Sequence, residues 1–451
     1  MGNHKLSLNM RVAVFTDVFP ALSETFITRQ IVGLVELGHN VHIYAQGRPG
    51  AGVPLQPEVA AHNLLAHTTY LAIPRASGYW EMPILPPWGQ TWLPGAAKSI
   101  PNLRRLLHAL PHLARIFAIA PKVVLRTLDP REYGYAARSL SAVYRVSGLL
   151  GGRGAYDVAH AHFGPVADKI RFVPSLWRVP LIASFHGYDV SAWPREKGAG
   201  VYERLFRAAT LVTANSHYTR QRVEALGCPS ARIRVLRMGL DLGEFAFRER
   251  SAPEDGCVRI LSVGRLVEKK GFEYSIRALA QVRARHPQVQ YGIVGDGPLR
   301  PHLEALATSL GLEGTVRFYG AAGREFVRRR LDEAHIFVAP SVTAANGDVE
   351  GQGLVLQEAQ ACGIPVLATE HNGFPEGMLP GQSGFLVPER SAEAIAERLE
   401  YMLERAGRWA EWGRAGRRHV EEHYDIRLLS RQLEGLYAEA RHIYTSGKGR
   451  R

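Results

Sequence analysis

The chain has 451 residues, 55 Lys and Arg against 42 Asp and Glu, and a formal net charge of +13. At about 100–200 residues per domain this length suggests two or three domains. A hydrophobic content of 46% with 22% charged residues excludes wholesale disorder and fibrous structure. Cys228, Cys257 and Cys362 are too few and too far apart for a disulfide framework or a paired-cysteine zinc site, so a reducing compartment is expected.

At the N-terminus the apolar run at 12–15 stops at Asp17, unlike a secretory leader. Met1-Gly2 misses the myristoylation pattern because the hydroxyl falls at Ser7. Residues 82–97 come nearest to a spanning segment, but Pro83, Pro86, Pro87, Gly89 and Pro94 interrupt them. A cytoplasmic protein is therefore expected, and its positive charge should attract polyanions: nucleic acid, anionic lipid or phosphorylated small molecules.

Short β-branched runs alternate with helical segments, the pattern of parallel sheets with crossover helices. The first series predicts strands at 11–17, 40–46, 157–162, 181–186, 211–215 and 233–237. The segment 246–257, AFRERSAPEDGC, reads as a linker. A second series follows at 259–263, 290–294, 316–318, 336–339, 365–369 and 384–387. The economical reading is two doubly wound domains, 1–245 and 258–425, with a ligand cleft beyond the carboxyl ends of their strands. Residues 426–451 should form a helix that packs back on the first domain and ends in a basic tail.

An insert at 47–135 breaks the alternation. In it Leu103, Leu106, Leu107, Leu110, Leu113 and Phe117 have helical spacing, interleaved with Arg104, Arg105, His108, Arg115, Lys122 and Arg126. Pro111 and Pro121 should cut this stretch into short helices. Two readings stay open: a helix packed on the sheet with a solvated cationic face, or a surface resting on anionic membrane.

The densest chemistry lies at EGQGLVLQE, Glu350 to Glu358. Gly351 and Gly353 precede an apolar run that should open a helix at Leu354, leaving backbone N–H groups uncovered for a phosphate or sugar hydroxyls. Two carboxylates eight residues apart would span about 12 Å along a helix, right for gripping two ends of an extended ligand. Gly264-Arg265-Leu266-Val267-Glu268-Lys269-Lys270-Gly271 follows a strand with a glycine turn, cations and a helix start, which makes an anion site for a diphosphate or a merely solvated turn. Gly295-Asp296-Gly297-Pro298 reads as a tight turn with Pro298 at a helix start. Phe185-His186-Gly187-Tyr188-Asp189 places an imidazole at the cleft edge.

In combination these segments resemble the retaining glycosyltransferases of family 4, which have the GT-B fold: two Rossmann-like domains facing each other across a cleft. EGQGLVLQEAQACGIPVLA, GRLVEKKGF, VGDGPL and APS carry the resemblance over nearly all of 256–390. HAHFG at 160–164, FHGYD at 185–189 and PALSETF at 20–26 extend it into the first half, the last resembling enzymes of bacterial exopolysaccharide assembly. The resemblance implies that Arg265 and Lys270 neutralise a donor diphosphate and that Glu358 holds ribose hydroxyls. Glu350, with Gly351, Gly353 and Leu354, would grip the donor sugar. Phe318 and Gly320 would lie near the base, Gly295 would also bind the donor, and His186 would sit at the reacting face. On the acceptor side it implies Ser23, Glu24, Thr25, His162 and Asp189, where most of the family has a glycine-rich loop and Ser23 would instead cap the following helix. Gln352 departs from a frequent Phe.

Transfer would retain anomeric configuration by electrostatic stabilisation of the departing nucleotide diphosphate, a co-substrate, with no cofactor. The D-x-E triplet at Asp348 and Glu350 suits Mg²⁺, but Arg265 and Lys270 already supply positive charge and the resemblance implies no catalytic metal. The expected partners are a nucleotide sugar, a saccharide or polyprenyl-diphosphate-linked acceptor, and an anionic membrane surface on which the enzyme sits peripherally. A relative acting on a soluble acceptor is the alternative. No aromatic-basic module, zinc spacing or helix-turn-helix signal supports specific nucleic-acid binding.

Overall fold

The computed structural model describes residues 9–21, 24–50, 55–71 and 103–448, with 103–105 and 448 described by backbone alone. Ser23 and residues 82–97 thus lie outside the described residues.

The first sheet contains β1 (Arg11–Val18), β2 (Asn40–Gly47), β3 (Thr68–Tyr70), β4 (Val158–His162), β5 (Leu181–Phe185), β6 (Leu211–Ala214) and β7 (Ile233–Val235). The second contains β8 (Val258–Val263), β9 (Val289–Val294), β10 (Val316–Gly320), β11 (Ile336–Ala339), β12 (Val366–Thr369) and β13 (Gly384–Val387). Their orders are β3-β2-β1-β4-β5-β6-β7 and β10-β9-β8-β11-β12-β13. Every pairing is parallel: Val12 lies opposite Val41 on one side and Val158 on the other, and Ile260 opposite Tyr291 and Ile336. The strand order reverses at β1/β4 and at β8/β11, the two switch points at which such sheets bind ligands. This is the GT-B arrangement.

Parallel strands covered on both faces are mostly apolar, and β4 and β5 are buried at every position, with His160, His162 and Ser184 as their polar members. One face of the first sheet packs Phe15, Tyr44 and Trp177 into a ring cluster. The other packs Val12, Val14 and Ile43 with Leu429, Leu433 and Tyr437 of the Ile426–Lys448 helix. The chain therefore leaves the first sheet after β7 and returns to it through that helix. The two passages run side by side: Leu240 N–H donates to Tyr424 O at 2.8 Å, and Ile426 N–H to Leu240 O at 2.9 Å.

Four expectations need correction. The insert contributes a strand, β3, paired to β2. Its three residues, Thr-Thr-Tyr, are too short to carry a period-two signal. Pro111 does not end a helix, since Leu103–Ile119 runs through it. It lies on the solvent side, and the Leu107 carbonyl that loses its partner belongs to an exposed residue, so water can serve in place of the missing N–H. Pro298 precedes the Arg300–Ser309 helix, whose first turn holds Pro301 instead. Glu350 lies in the loop before the Leu354–Ala361 helix, so the 12 Å helical spacing to Glu358 does not apply.

Among the described residues no helix is long and apolar enough to cross a membrane.

Candidate functional site

The second sheet supplies the charged side of the cleft. The turn after β8 brings Lys269 and Lys270 up to the helix Phe272–Arg285, with Gly271 as its N-cap at φ +63°. A Cβ there would lie 1.9 Å from Pro340 O, so both backbone angle and close approach demand glycine. The two ammonium groups converge on one carboxylate. Lys269 Nζ is 3.2 Å from Glu350 Oε1, and Lys270 Nζ is 3.1 Å from Oε2. Burial pushes the Glu350 carboxyl up, but the two lysines outweigh it and hold the group well below the usual carboxylate range. Lys269 also lies 3.2 Å from Asp348, so both acids of the D-x-E triplet face an ammonium group. Burial lowers the pKa of Arg265, while Glu350 and Asp348 draw it back up.

Glu350 is anchored through its backbone as well. Its N–H donates to His371 Nε2 at 3.1 Å, and its carbonyl accepts from Asn372 Nδ2 at 3.1 Å. Gly353, at φ +74°, caps the helix that starts at Leu354. On that helix Glu358 faces the other domain, with Arg29 Nη1 at 3.6 Å, and burial raises its pKa. Arg29 also binds Glu244 at 3.1 Å. Arg324 meets the same Glu244 at 2.7 Å and pairs with Glu58. A charged network thus bridges the cleft. At the ends of β9 and β10 the Gly295 N–H donates to Gly320 O at 2.9 Å, while Phe318 packs against the second-domain core.

The first sheet contributes imidazoles. His160 and His162 lie in β4 and His186 just beyond the end of the adjacent β5, and the last two rings stack at 5.4 Å with Nδ1 of His162 3.2 Å from Nε2 of His186. His160 bonds Tyr437 Oη at 2.8 Å and Ser184 Oγ at 2.6 Å. Burial holds His160 and His186 down to about 3 and His162 well below its ordinary value, so all three rings are neutral near pH 7. Asp189 is fully buried and accepts the N–H groups of His186, Gly187 and Gly164 at 2.9–3.1 Å, shaping the loop instead of facing open space. Thr25 opens the helix Thr25–Glu36. Glu24 is buried beside Asp17, and burial with that neighbouring charge pushes its carboxyl up to about 8.

At the middle of the cleft the two halves come into backbone contact. A Cβ on Gly351 would lie 1.8 Å from the His186 carbonyl oxygen, which accepts Asn215 Nδ2 at 2.7 Å. The structure therefore brings together His162, His186, Glu350, Gly351 and Lys270, with Arg265 close by. Lys269, Arg29, His371 and Gln352 are residues that sequence reasoning missed as members. Gln352 accepts the Met238 N–H at 2.7 Å and donates to its carbonyl at 2.9 Å. Lys269 had a signal, its place beside Lys270 in the cationic turn. Gln352 lies within the Glu350–Glu358 segment, whereas Arg29 and His371 meet the site only through the fold.

Comparison with known proteins gives the family and the fold. The family described as "Glycosyl transferases group 1" matches residues 244–419, and "Glycosyltransferase Family 4" matches 95–244. The chain is 32% identical over 434 residues to a protein of Escherichia coli strain K12 named a colanic acid biosynthesis glycosyltransferase, WcaL, covering 95% of this chain and 99% of that one. It is equally 32% identical to the amylovoran biosynthesis glycosyltransferase AmsK of Erwinia amylovora, over 94% and 98% of the two chains. The solved structure of Anabaena Alr3699/HepE with UDP and glucose superposes with a TM-score of 0.67 over 95% of this chain and all of that one, at 17% identity.

Proposed function

The chain belongs to glycosyltransferase family 4, alongside the colanic acid and amylovoran biosynthesis glycosyltransferases, and on that premise we propose that it moves a sugar from a nucleotide-diphosphate donor to a saccharide or polyprenyl-diphosphate-linked acceptor in exopolysaccharide assembly. The observation that carries the donor reading is the convergence of Lys269 and Lys270 on Glu350 beside Arg265, at the switch point of the second sheet. Three cations against Asp348 and Glu350 leave one positive charge over for a diphosphate, with the N–H groups from Gly351 to Leu354 adjacent.

In this reading Arg265, Lys269 and Lys270 take the phosphates and Glu350 the sugar, while Glu358 exchanges Arg29 for ribose hydroxyls. Gly295, Phe318 and Gly320 flank the base. His186 meets the sugar from the opposite wall, where its neutral ring and carbonyl steady positive charge at the anomeric carbon. Glu350, already engaged by two ammonium groups, is poorly suited to act as a nucleophile. Configuration is then retained by attack on the face from which the diphosphate departs, with a phosphate oxygen receiving the acceptor proton. The cations serve in place of a catalytic metal.

A polyprenyl-diphosphate-linked acceptor would draw the enzyme to a membrane surface. Leu107, Leu110, Phe117 and Leu125 are 51–68% exposed, next to the exposed side chains of Arg115, Lys122 and Arg126. The other face of this stretch is packed, with Ala109, Ile116, Val123 and Val124 buried in the first-domain core, and its unburied leucines among cations support peripheral docking on anionic lipid as well, with a cytoplasmic-face location.

A thermal-shift screen against UDP-, GDP- and ADP-sugars tests the donor reading, followed by turnover in excess EDTA. One nucleotide class should raise Tm by several degrees, and turnover with that donor should survive chelation. No shift with any nucleotide sugar would defeat the reading.

A further inference from the structure

We propose that His371, held in one tautomer by Glu389, is a positioning residue that fixes the Glu350 peptide for donor binding; the functional half of this proposal rests on the donor site described above. His371 follows β12 by two residues and has no exposed surface. Its Nδ1 lies 2.5 Å from Glu389 Oε1, and its Nε2 lies 3.1 Å from the Glu350 nitrogen. A backbone N–H can only donate, so Nε2 carries the lone pair and Nδ1 the proton, directed at Glu389. Asn372 Nδ2, also a donor, stands 2.8 Å from the same Nε2 and 3.1 Å from the Glu350 carbonyl. The ring thus accepts from both neighbours on one side and donates to a carboxylate on the other.

Glu389 does more than orient the ring. Its second oxygen accepts the Thr343 N–H at 2.9 Å. One carboxylate therefore ties the loop after β11 to the loop after β12 and, through the imidazole, to Glu350. A second proton on the ring would set Nε2–H against the Glu350 N–H, two donors face to face. The charged groups around the ring are Glu389 and Glu350, which favour that proton, and Lys270, which opposes it. Burial is the largest influence and keeps the ring neutral. The 3.1–3.2 Å contacts of the Glu350 carboxylate with Lys269 and Lys270 depend on where its peptide is held. The ring also packs edge-on against Phe374 at 5.7 Å, so a purely space-filling role is the competing account.

Three variants separate the two. His371→Leu keeps apolar volume and loses the acceptor, His371→Gln places an amide oxygen near the Nε2 position, and Glu389→Gln weakens the tautomer lock. Amide hydrogen exchange over 349–351 reads the anchor directly. UDP and GDP titrations, with Tm alongside, read its consequence. Exchange in His371→Leu should rise about tenfold, with a parallel loss of nucleotide affinity, the scale of one lost hydrogen bond. His371→Gln should stay within about threefold of wild type, and Glu389→Gln should fall between the two. Equal behaviour of His371→Leu and His371→Gln would assign the ring to packing alone and overturn the proposal. Should His371→Leu fail to fold, unchanged exchange in Glu389→Gln would overturn it equally. If the wild type binds neither nucleotide while the exchange pattern appears as stated, the anchor stands and the donor reading falls.

Discussion

Glu350→Gln removes one negative charge from between two ammonium groups while keeping the side chain's shape. Losing one partner of a buried ion pair typically costs about 3–5 kcal/mol, because the remaining charge is left uncompensated. Lys269 retains Asp348 at 3.2 Å, so the loss should lie near the lower end, about 3 kcal/mol. The same change should strengthen diphosphate binding. A charge about 5.5 Å from a phosphate acts with roughly 3 kcal/mol at an effective dielectric of 20, and counter-ions reduce this to about 1–2 kcal/mol. UDP or GDP, whichever the wild type prefers, should therefore bind about tenfold more tightly to the variant. Sugar transfer should nevertheless fall about a hundredfold, since the carboxylate that grips the sugar is gone. Calorimetric titration with the diphosphate, urea unfolding and initial rates measure the three effects separately. Weaker diphosphate binding together with unaltered stability would refute the reasoning, because it would mean that these lysines neither depend on Glu350 nor face the phosphates.

Two other outcomes are expected. His160 is held down to about 3 against an ordinary value near 6.5, so its folded form resists a proton that the unfolded chain accepts. Its contribution to stability is complete above about pH 6.5 and is lost as pH falls through the window down to about 3, roughly 1.4 kcal/mol between pH 7.5 and 5.5. His160→Gln should destabilise the protein at every pH yet show that much less acid sensitivity in urea melts; identical pH slopes would count against a buried neutral ring. On the surface, wild type should pellet with anionic vesicles at low salt and be released at high salt. Arg115→Gln, Lys122→Gln and Arg126→Gln combined should weaken pelleting about a hundredfold, at about 1 kcal/mol per cation, with nucleotide affinity unchanged. Unaltered pelleting would remove the docking surface and favour a soluble acceptor.

The backbone architecture was legible because parallel strands covered on both faces, such as Val258–Val263 and Ile336–Ala339, are largely apolar, and their runs stand out between polar loops. The Glu350–Glu358 segment was legible for a different reason: glycines, carboxylates and an apolar helix start occur in one contiguous stretch. What escaped the sequence is what the fold assembles at a distance. Arg29 reaches Glu358, and Gln352 pairs with the Met238 backbone, only because two sheets face each other. His371 reads as one more histidine after a strand, and no local pattern says that its Nε2 meets the Glu350 N–H. The penalty of Pro111 depends on its side of the helix being wet, which no local sequence pattern shows.

The chain crosses between the two sheets twice, and the crossings are laced together by hydrogen bonds of Leu240 with Tyr424 and Ile426. Gly239 lets them lie close, since a Cβ there would come within 2.9 Å of the Ile426 Cα. A single linker would let two domains swivel, slide and roll. Two linkers pinned at one place would oppose sliding there and leave rotation about the point near Leu240 and Asp425. Opening the cleft then separates His186 from Gly351 and Arg29 from Glu358 in the same stroke. Sheets fastened in this way would admit a ligand by turning about that pin instead of by sliding past one another.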